Sequence, residues 1–118
     1  MTDKTEAFFE AWGMTDAADR LAALQAAVTS DASYADPRTD APLSGPEAIA
    51  AYVGMFSQAA PGAVAEVVHT DTRDGVTRAT IAFKMPNGME QMGQYFIEHD
   101  AVGLICRMVG FVGTGTPT

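Results

Sequence analysis

The apolar residues change their period about half-way along the chain, and no other feature constrains the fold as strongly. Up to Phe56 the large apolar side chains recur at three- and four-residue spacing, the signature of helices with one buried face. Beyond Ala63 they alternate with polar residues, the signature of strands. Phe8, Phe9 and Trp12 predict a helix from Thr5 to Trp12 that Gly13 ends. Leu21, Leu24 and Val28 predict a second, capped by Thr15 or Asp16. Ile49, Tyr52, Val53 and Phe56 predict a third, with Ser44 as cap, Pro46 in the first turn and Pro61-Gly62 closing it. Between the second and third lie a short strand, Ser30 to Pro37, and a polar loop, Arg38 to Ser44. Strands are expected over 63–71, 77–85, 89–99 and 104–112, separated by turn signals at Asp74-Gly75, Pro86-Asn87-Gly88 and Asp100 to Gly103. Residues 113–118 read as a loose tail. Helices first and a four-strand meander last is the order of an α+β domain, not of a doubly wound parallel sheet. A strongly curved antiparallel sheet covered by helices leaves a cavity at its open end.

The 118 residues fit one domain, 1–118, with a single core and no internal repeat. Hydrophobic residues make up 47 %, and seven Met add adaptable volume suited to an irregular cavity or to gaps in the core. The net charge of −8 and the absence of a basic stripe oppose contact with nucleic acid and with anionic membranes. No apolar run reaches the length of a membrane span. The first residues, Met1 to Glu6, lack the basic and apolar regions of a signal peptide, so a cytoplasmic protein is the default expectation. Cys106, the single cysteine, falls in a strand pattern and reads as a packed thiol. His69 and His99 sit in no metal motif, and no metal or other cofactor is expected. Arg73, Arg78 and Arg107 read as solvated or paired cations, any of which could hold an acidic group at a pocket mouth.

Asp36 stands out among the polar residues. An extended segment puts Tyr34 and Asp36 on one face, and Pro37 keeps Asp36 extended. On the wall of a dry cavity such a carboxylate accepts a proton. The competing reading makes Asp36 a turn residue bonded to nearby backbone. Tyr95, on a strand face shared with Gln91, Gly93, Ile97 and His99, is a candidate hydrogen-bond donor to an enolate oxygen, or else an ordinary tyrosine at a cavity rim. Phe8, Trp12, Tyr34, Phe56, Gln91 and Met108 are the candidate pocket walls.

Four stretches carry a family resemblance that spans nearly the whole chain: Phe8-Phe9-Glu10-Ala11-Trp12 with Asp16; Tyr34-Ala35-Asp36-Pro37 followed by Ser44-Gly45-Pro46-Glu47-Ala48-Ile49; Gly93-Gln94-Tyr95-Phe96-Ile97-Glu98 with Asp100 and Gly103; and Val109-Gly110-Phe111. In order and spacing they resemble the nuclear-transport-factor-2-like superfamily in its SnoaL-like branch, which includes ketosteroid isomerases and polyketide cyclases. The resemblance implies a cone-shaped, curved antiparallel sheet with three N-terminal helices around an apolar pocket, a cystatin-like roll. It also implies a homodimer through the outer sheet face, with Val109 and Phe111 as candidate contacts. Asp36 matches the general base of the isomerases, the Asp of an Asp-Pro pair. Their oxyanion hole pairs a Tyr on the first helix with an Asp on the later hairpin; the matching positions here are Phe8, which donates nothing, and Tyr95. Limonene epoxide hydrolases share the fold, but the second strand Asp of their Asp-Arg-Asp arrangement has no match. The expectation is a pocket for a small apolar molecule, with cofactor-free isomerase or cyclase chemistry on a carbonyl compound through Asp36 and Tyr95. The alternatives are a non-catalytic module for a hydrophobic ligand, a dimeric scaffold, and a fold whose pocket its own side chains fill.

Overall fold

The computed structural model describes residues 3–115. Of the expected tail, residues 116–118 lie outside that range, as do the first two residues of the segment read for a leader. The helical half begins with α1 (Lys4–Glu10), capped by Asp3, whose carboxylate accepts from the Thr5 N–H. A 3₁₀ turn (Ala11–Gly13) extends it and completes the expected helix through Trp12. Asp16 caps α2 (Ala17–Ala27) by accepting from the Asp19 N–H at 2.9 Å. The third helix, α3 (Pro46–Ala59), carries Pro in its first turn, where no N–H is needed.

Two local expectations are corrected at the ends of these helices. Val28 does not extend the helical face of α2; it begins β1 (Val28–Ala35), a longer strand than the residues around Tyr34 suggested. Val28 and Thr29 are β-branched, and Val28 pairs with Ile105 across the sheet, so tertiary pairing overrides the helical spacing. Ser44 does not cap α3. It belongs to β2 (Leu43–Ser44), inside the stretch expected to be loop, and lies opposite Ser33. Gly45 occupies the cap position with no side-chain bond, at φ 86°, and its N–H donates to Ala32 O at 2.8 Å. A Cβ there would stand 3.2 Å from Ser30 O, so this entry to α3 favours glycine twice over.

The strand half contains β3 (Val64–Arg73), β4 (Val76–Lys84), β5 (Glu90–His99) and β6 (Ile105–Val112), joined as an antiparallel meander. Asp74 (φ 54°) and Gly75 (φ 79°) form the first hairpin, the left-handed pair that a tight two-residue turn requires. The six strands run in the order β2-β1-β6-β5-β4-β3. Here the sheet departs from a purely antiparallel one, because β1 joins β6 in parallel, with Tyr34 opposite Met108. The long connection that parallel pairing needs is made by β2, α3 and the strands β3 to β5, which lie between β1 and β6 in the chain. Register shifts at Val67/His69 and Glu98/His99 break the ladders, and such irregularities bend strands. The result is a curved, unclosed sheet with helices on its concave side, an α+β fold.

Phe8, Phe9, Leu24, Ile49, Val53, Ile81, Ile97, Ile105 and Met108 form the buried centre where helices and sheet meet. Each fully buried large side chain is worth about 1.5–3 kcal/mol of transfer free energy. Arg20 on α2 is also buried, and its Nη2 donates to Met14 O at 2.8 Å, tying α2 to the turn that precedes it. α1 packs on α2 and β3, and α3 packs on α2. The mouth left between α3 and the ends of β4, β5 and β6 is where the site lies.

Candidate ligand pocket and tyrosine–aspartate cluster

A cavity of about 480 Å³ opens between α3 and the sheet. Trp12 (3 % exposed) closes its inner end, with the rings of Phe56 and Phe83 at 5.0 and 5.3 Å between centroids. Met55, Met85 and Met92 line it further out. Of the residues expected to act, Asp36 and Tyr95 both line this cavity. Of the expected walls, Trp12, Phe56 and Gln91 do so. Phe8, Tyr34 and Met108 do not line it; they are 0–1 % exposed and sit one layer behind. The reason is stacking: the Phe8 ring lies on Tyr34 at 5.9 Å, so α1 seals that part of the sheet with its own aromatic layer.

Tyr34 nevertheless belongs to the site through its hydroxyl. It donates to Asp36 Oδ2 at 2.7 Å and stands 2.9 Å from the Tyr95 hydroxyl. Tyr52, on α3, donates to both carboxylate oxygens, at 2.8 Å to Oδ1 and 2.6 Å to Oδ2. The Arg38 N–H donates to Oδ1 at 2.9 Å. Asp36 thus combines the placements of both sequence readings. One oxygen receives a turn N–H, while the carboxylate as a whole sits on the pocket wall among phenols. The Arg38 side chain is exposed, and no cation stands within 4.0 Å of the Asp36 carboxylate among the described residues.

The proton directions in this cluster follow from counting hydrogens. A phenol has one O–H to give. Tyr34 spends its proton on Asp36, so the 2.9 Å contact with Tyr95 is Tyr95 donating to Tyr34. Tyr52 also spends its proton on Asp36. All three phenol protons point toward the carboxylate, directly or through Tyr34. Burial pushes all three phenols above the ordinary tyrosine value, and for Tyr34 the adjacent Tyr95 and Asp36 push further. For Tyr52 the hydrogen bond to Asp36 adds to burial. The phenols are thus held neutral.

Tyr95 owes its place to a glycine on the neighbouring strand. Gly110 lies directly across from it on β6, and a Cβ at Gly110 would stand 2.6 Å from Tyr95 Cε2. Gly93, two residues earlier on the same face, would place a Cβ 3.5 Å from the ring, an ordinary contact. Sequence reasoning picked out Gly93 and passed over Gly110. It also assigned Tyr52 to the apolar face of its helix and left Phe83 out of the pocket. One available signal was composition: the chain has three tyrosines, and all three converge here.

The other polar candidates lie elsewhere. His69 and Arg78 contact Asp71 on the sheet surface, Arg107 pairs with Glu98, and His99 contacts Thr77. Cys106 is half-buried and its thiol donates to Glu98 O. No cluster of three or more His, Cys, Asp or Glu side chains able to hold a metal occurs among the described residues. No helix among them is long and apolar enough to cross a membrane.

A curved sheet, three helices and an apolar pocket with polar groups on its wall define the nuclear-transport-factor-2-like class, which includes ketosteroid isomerase-like folds. The SnoaL-like domain model matches residues 5–108, and the chain belongs to that family. Among solved structures it is similar to a SnoaL-like family protein from Agrobacterium tumefaciens provisionally named an isomerase, with 23 % identity, TM-score 0.84, and 93 % of this chain and 94 % of that one covered. It is also similar to a hypothetical protein of ketosteroid isomerase-like fold from Catenulispora acidiphila, solved in complex with trimethylamine (14 % identity, TM-score 0.75, 99 % and 95 % covered). A third is a protein from Shewanella denitrificans provisionally named a SnoaL-like polyketide cyclase (10 % identity, TM-score 0.69, 93 % and 88 % covered). None of the curated proteins compared matches the chain significantly.

Proposed function

We propose that the pocket binds a small, mostly apolar molecule and that Asp36 acts there as proton acceptor in cofactor-free chemistry of the isomerase or cyclase type. The observation that carries this is a carboxylate on the wall of a cavity lined mostly by aromatic, Met and other apolar residues, held in place by two phenols and a backbone N–H. In such a reaction a C–H beside a carbonyl gives its proton to Asp36, and the same proton returns to another carbon of the same molecule. Tyr95 stabilises the intermediate enolate oxygen once its O–H turns from Tyr34 to the ligand. The test is α-proton exchange of apolar ketones in heavy water, followed by NMR. Asp36→Asn is expected to lose at least about 10²-fold in exchange rate. An Asn variant as fast as the native chain refutes the role.

A second reading, ligand binding without chemistry, is favoured by one specific observation: every phenol proton in the cluster is already committed toward Asp36, so no phenol stands ready as a donor for an enolate. Under it, no exchange is detected with either protein. The outer sheet face, where Phe96 and Phe111 are exposed and pack edge to face at 5.7 Å, is proposed as a homodimer contact with Val109 beside it. Light scattering at micromolar concentration that shows a monomer refutes a stable dimer.

A further inference from the structure

The hydrogen-bond polarity of the cluster says more about the ligand than the presence of the pocket does. With the protons of Tyr34, Tyr52 and Tyr95 all directed toward Asp36, what the phenols and the carboxylate leave free is lone pairs. The indole N–H of Trp12, a wall residue, is buried and has no hydrogen-bond partner among the described residues. Further side-chain donors lie at the exposed rim, on Gln91 and Arg38. The tyrosine–aspartate cluster itself is therefore a set of acceptors around one negative charge that no cation pairs within 4.0 Å among the described residues.

The walls beside that charge are rings. Trp12, Tyr52, Phe56, Phe83 and Tyr95 all line the cavity, and Trp12 lies 5.0 to 6.2 Å from Phe56, Phe83 and Tyr52. Ring faces carry partial negative charge and attract alkylated cations, most strongly when water is displaced. A neutral carbonyl compound finds few hydrogen-bond donors here, and a carboxylate meets repulsion from Asp36. A cation whose charge is spread over alkyl groups satisfies the carboxylate, the lone pairs and the rings together. The chain's net charge of −8 adds long-range attraction of the same sign.

We infer that the pocket recognises an organic ammonium ion, its charged nitrogen beside Asp36 and its alkyl or aryl groups against the Trp12–Phe56–Phe83 rings. The inference rests on the reading of this cavity as the ligand site and deepens it by naming the ligand class. An ammonium group near a carbonyl also acidifies the carbon between them, so it is compatible with proton transfer to Asp36.

The experiment uses the full chain and four probes. The neutral fluorophore N-phenyl-1-naphthylamine reports on the cavity, and benzyltrimethylammonium, its uncharged carbon isostere neopentylbenzene, and phenylacetate compete with it. Benzyltrimethylammonium is expected to bind at least about tenfold more tightly than neopentylbenzene, with the advantage shrinking as salt is raised. Asp36→Asn is expected to erase that advantage while leaving neopentylbenzene affinity within about twofold. Tyr52→Phe, which uncovers the carboxylate and keeps its charge, is expected to retain or increase the advantage. It decides the matter if Asp36→Asn fails to fold, because loss of the advantage there overturns the proposal. Equal or tighter binding of neopentylbenzene or phenylacetate by the native chain overturns the ligand class and leaves the pocket reading standing. A preference for ammonium that survives in Asp36→Asn overturns the role of the carboxylate. No binding of the fluorophore or of any competitor brings down the pocket reading and this inference with it.

Discussion

Replacing Tyr34 by Phe should destabilise the protein more than replacing Tyr95 by Phe, although both remove one buried hydroxyl from the same 2.9 Å contact. The asymmetry follows from proton direction. Tyr34 donates to the Asp36 carboxylate at 2.7 Å, a charge-assisted bond worth about 1.5–3 kcal/mol. It also accepts from Tyr95, a neutral bond worth about 1 kcal/mol. Tyr34→Phe removes both and leaves the Tyr95 hydroxyl without its acceptor; because Tyr95 lines the pocket, water can replace part of that loss. The expected cost is about 2–4 kcal/mol. Tyr95→Phe removes only the neutral bond, because Tyr34 keeps its donation to Asp36, and should cost about 1 kcal/mol. In the double variant the shared bond is counted once, so the two costs should fall short of additivity by about 0.5–1.5 kcal/mol. Urea unfolding followed by far-ultraviolet circular dichroism measures all three variants against the native chain. If Tyr95→Phe costs as much as Tyr34→Phe, the proton runs the other way and the reading of the cluster as acceptors is wrong. If the coupling vanishes, the two hydroxyls do not bond in solution.

Two further predictions use the same residues. Gly110→Ala places a methyl 2.6–2.8 Å from the Tyr95 ring and should cost about 1–3 kcal/mol, whereas Gly93→Ala, with its nearest neighbours at 3.4 Å, should change stability by less than about 1 kcal/mol; thermal melts of the two variants decide. Alkaline titration at 295 nm reads only this cluster, since the chain has no other tyrosines. Folded phenol values raised above the unfolded value of about 10 give stability that is complete below pH 10 and lost as pH climbs through the folded values. Each of the two buried phenols then removes about 1.4 kcal/mol per pH unit, and the more exposed Tyr52 less. Ionisation should appear late and together with unfolding; a reversible step near pH 10 in the folded protein refutes the buried, neutral cluster.

How far the sequence reached depended on whether a feature was local. The change of period between the two halves reports burial of neighbouring residues, and it placed three helices and four meander strands close to where they lie. Asp16 as one of two candidate caps and Asp74-Gly75 as hairpin turn were also visible, because side-chain and backbone geometry within a few residues decides them. Val28 was misread because its helical spacing is real while its partner, Ile105, lies 77 positions away. β2 was invisible because two residues carry no period; only the pairing with Ser33 and Tyr34 makes them a strand. A pattern pointed to Asp36 and Tyr95, which both line the cavity, but not to the tie between them. It runs through Tyr34 and is completed by Tyr52 from α3, three chain segments that meet only after β1 docks in parallel on β6.

That docking is also what gives the site its polarity. Tyr34 faces inward, so Phe8 covers its ring and leaves only the hydroxyl within reach of the wall. Asp36, two residues further along, leaves the strand beside the pocket, where its carboxylate collects the Tyr34 and Tyr52 protons and the Arg38 N–H. With Tyr at the first-helix position, a phenol there could have offered its proton to a ligand. Phe8 offers none, and the phenol behind it is turned toward Asp36 instead. A fold shared with ketosteroid isomerase-like proteins thus carries in this chain a cluster whose three O–H bonds all run toward one carboxylate, and on the proposed reading their direction, more than the shape of the cavity, selects the ligand.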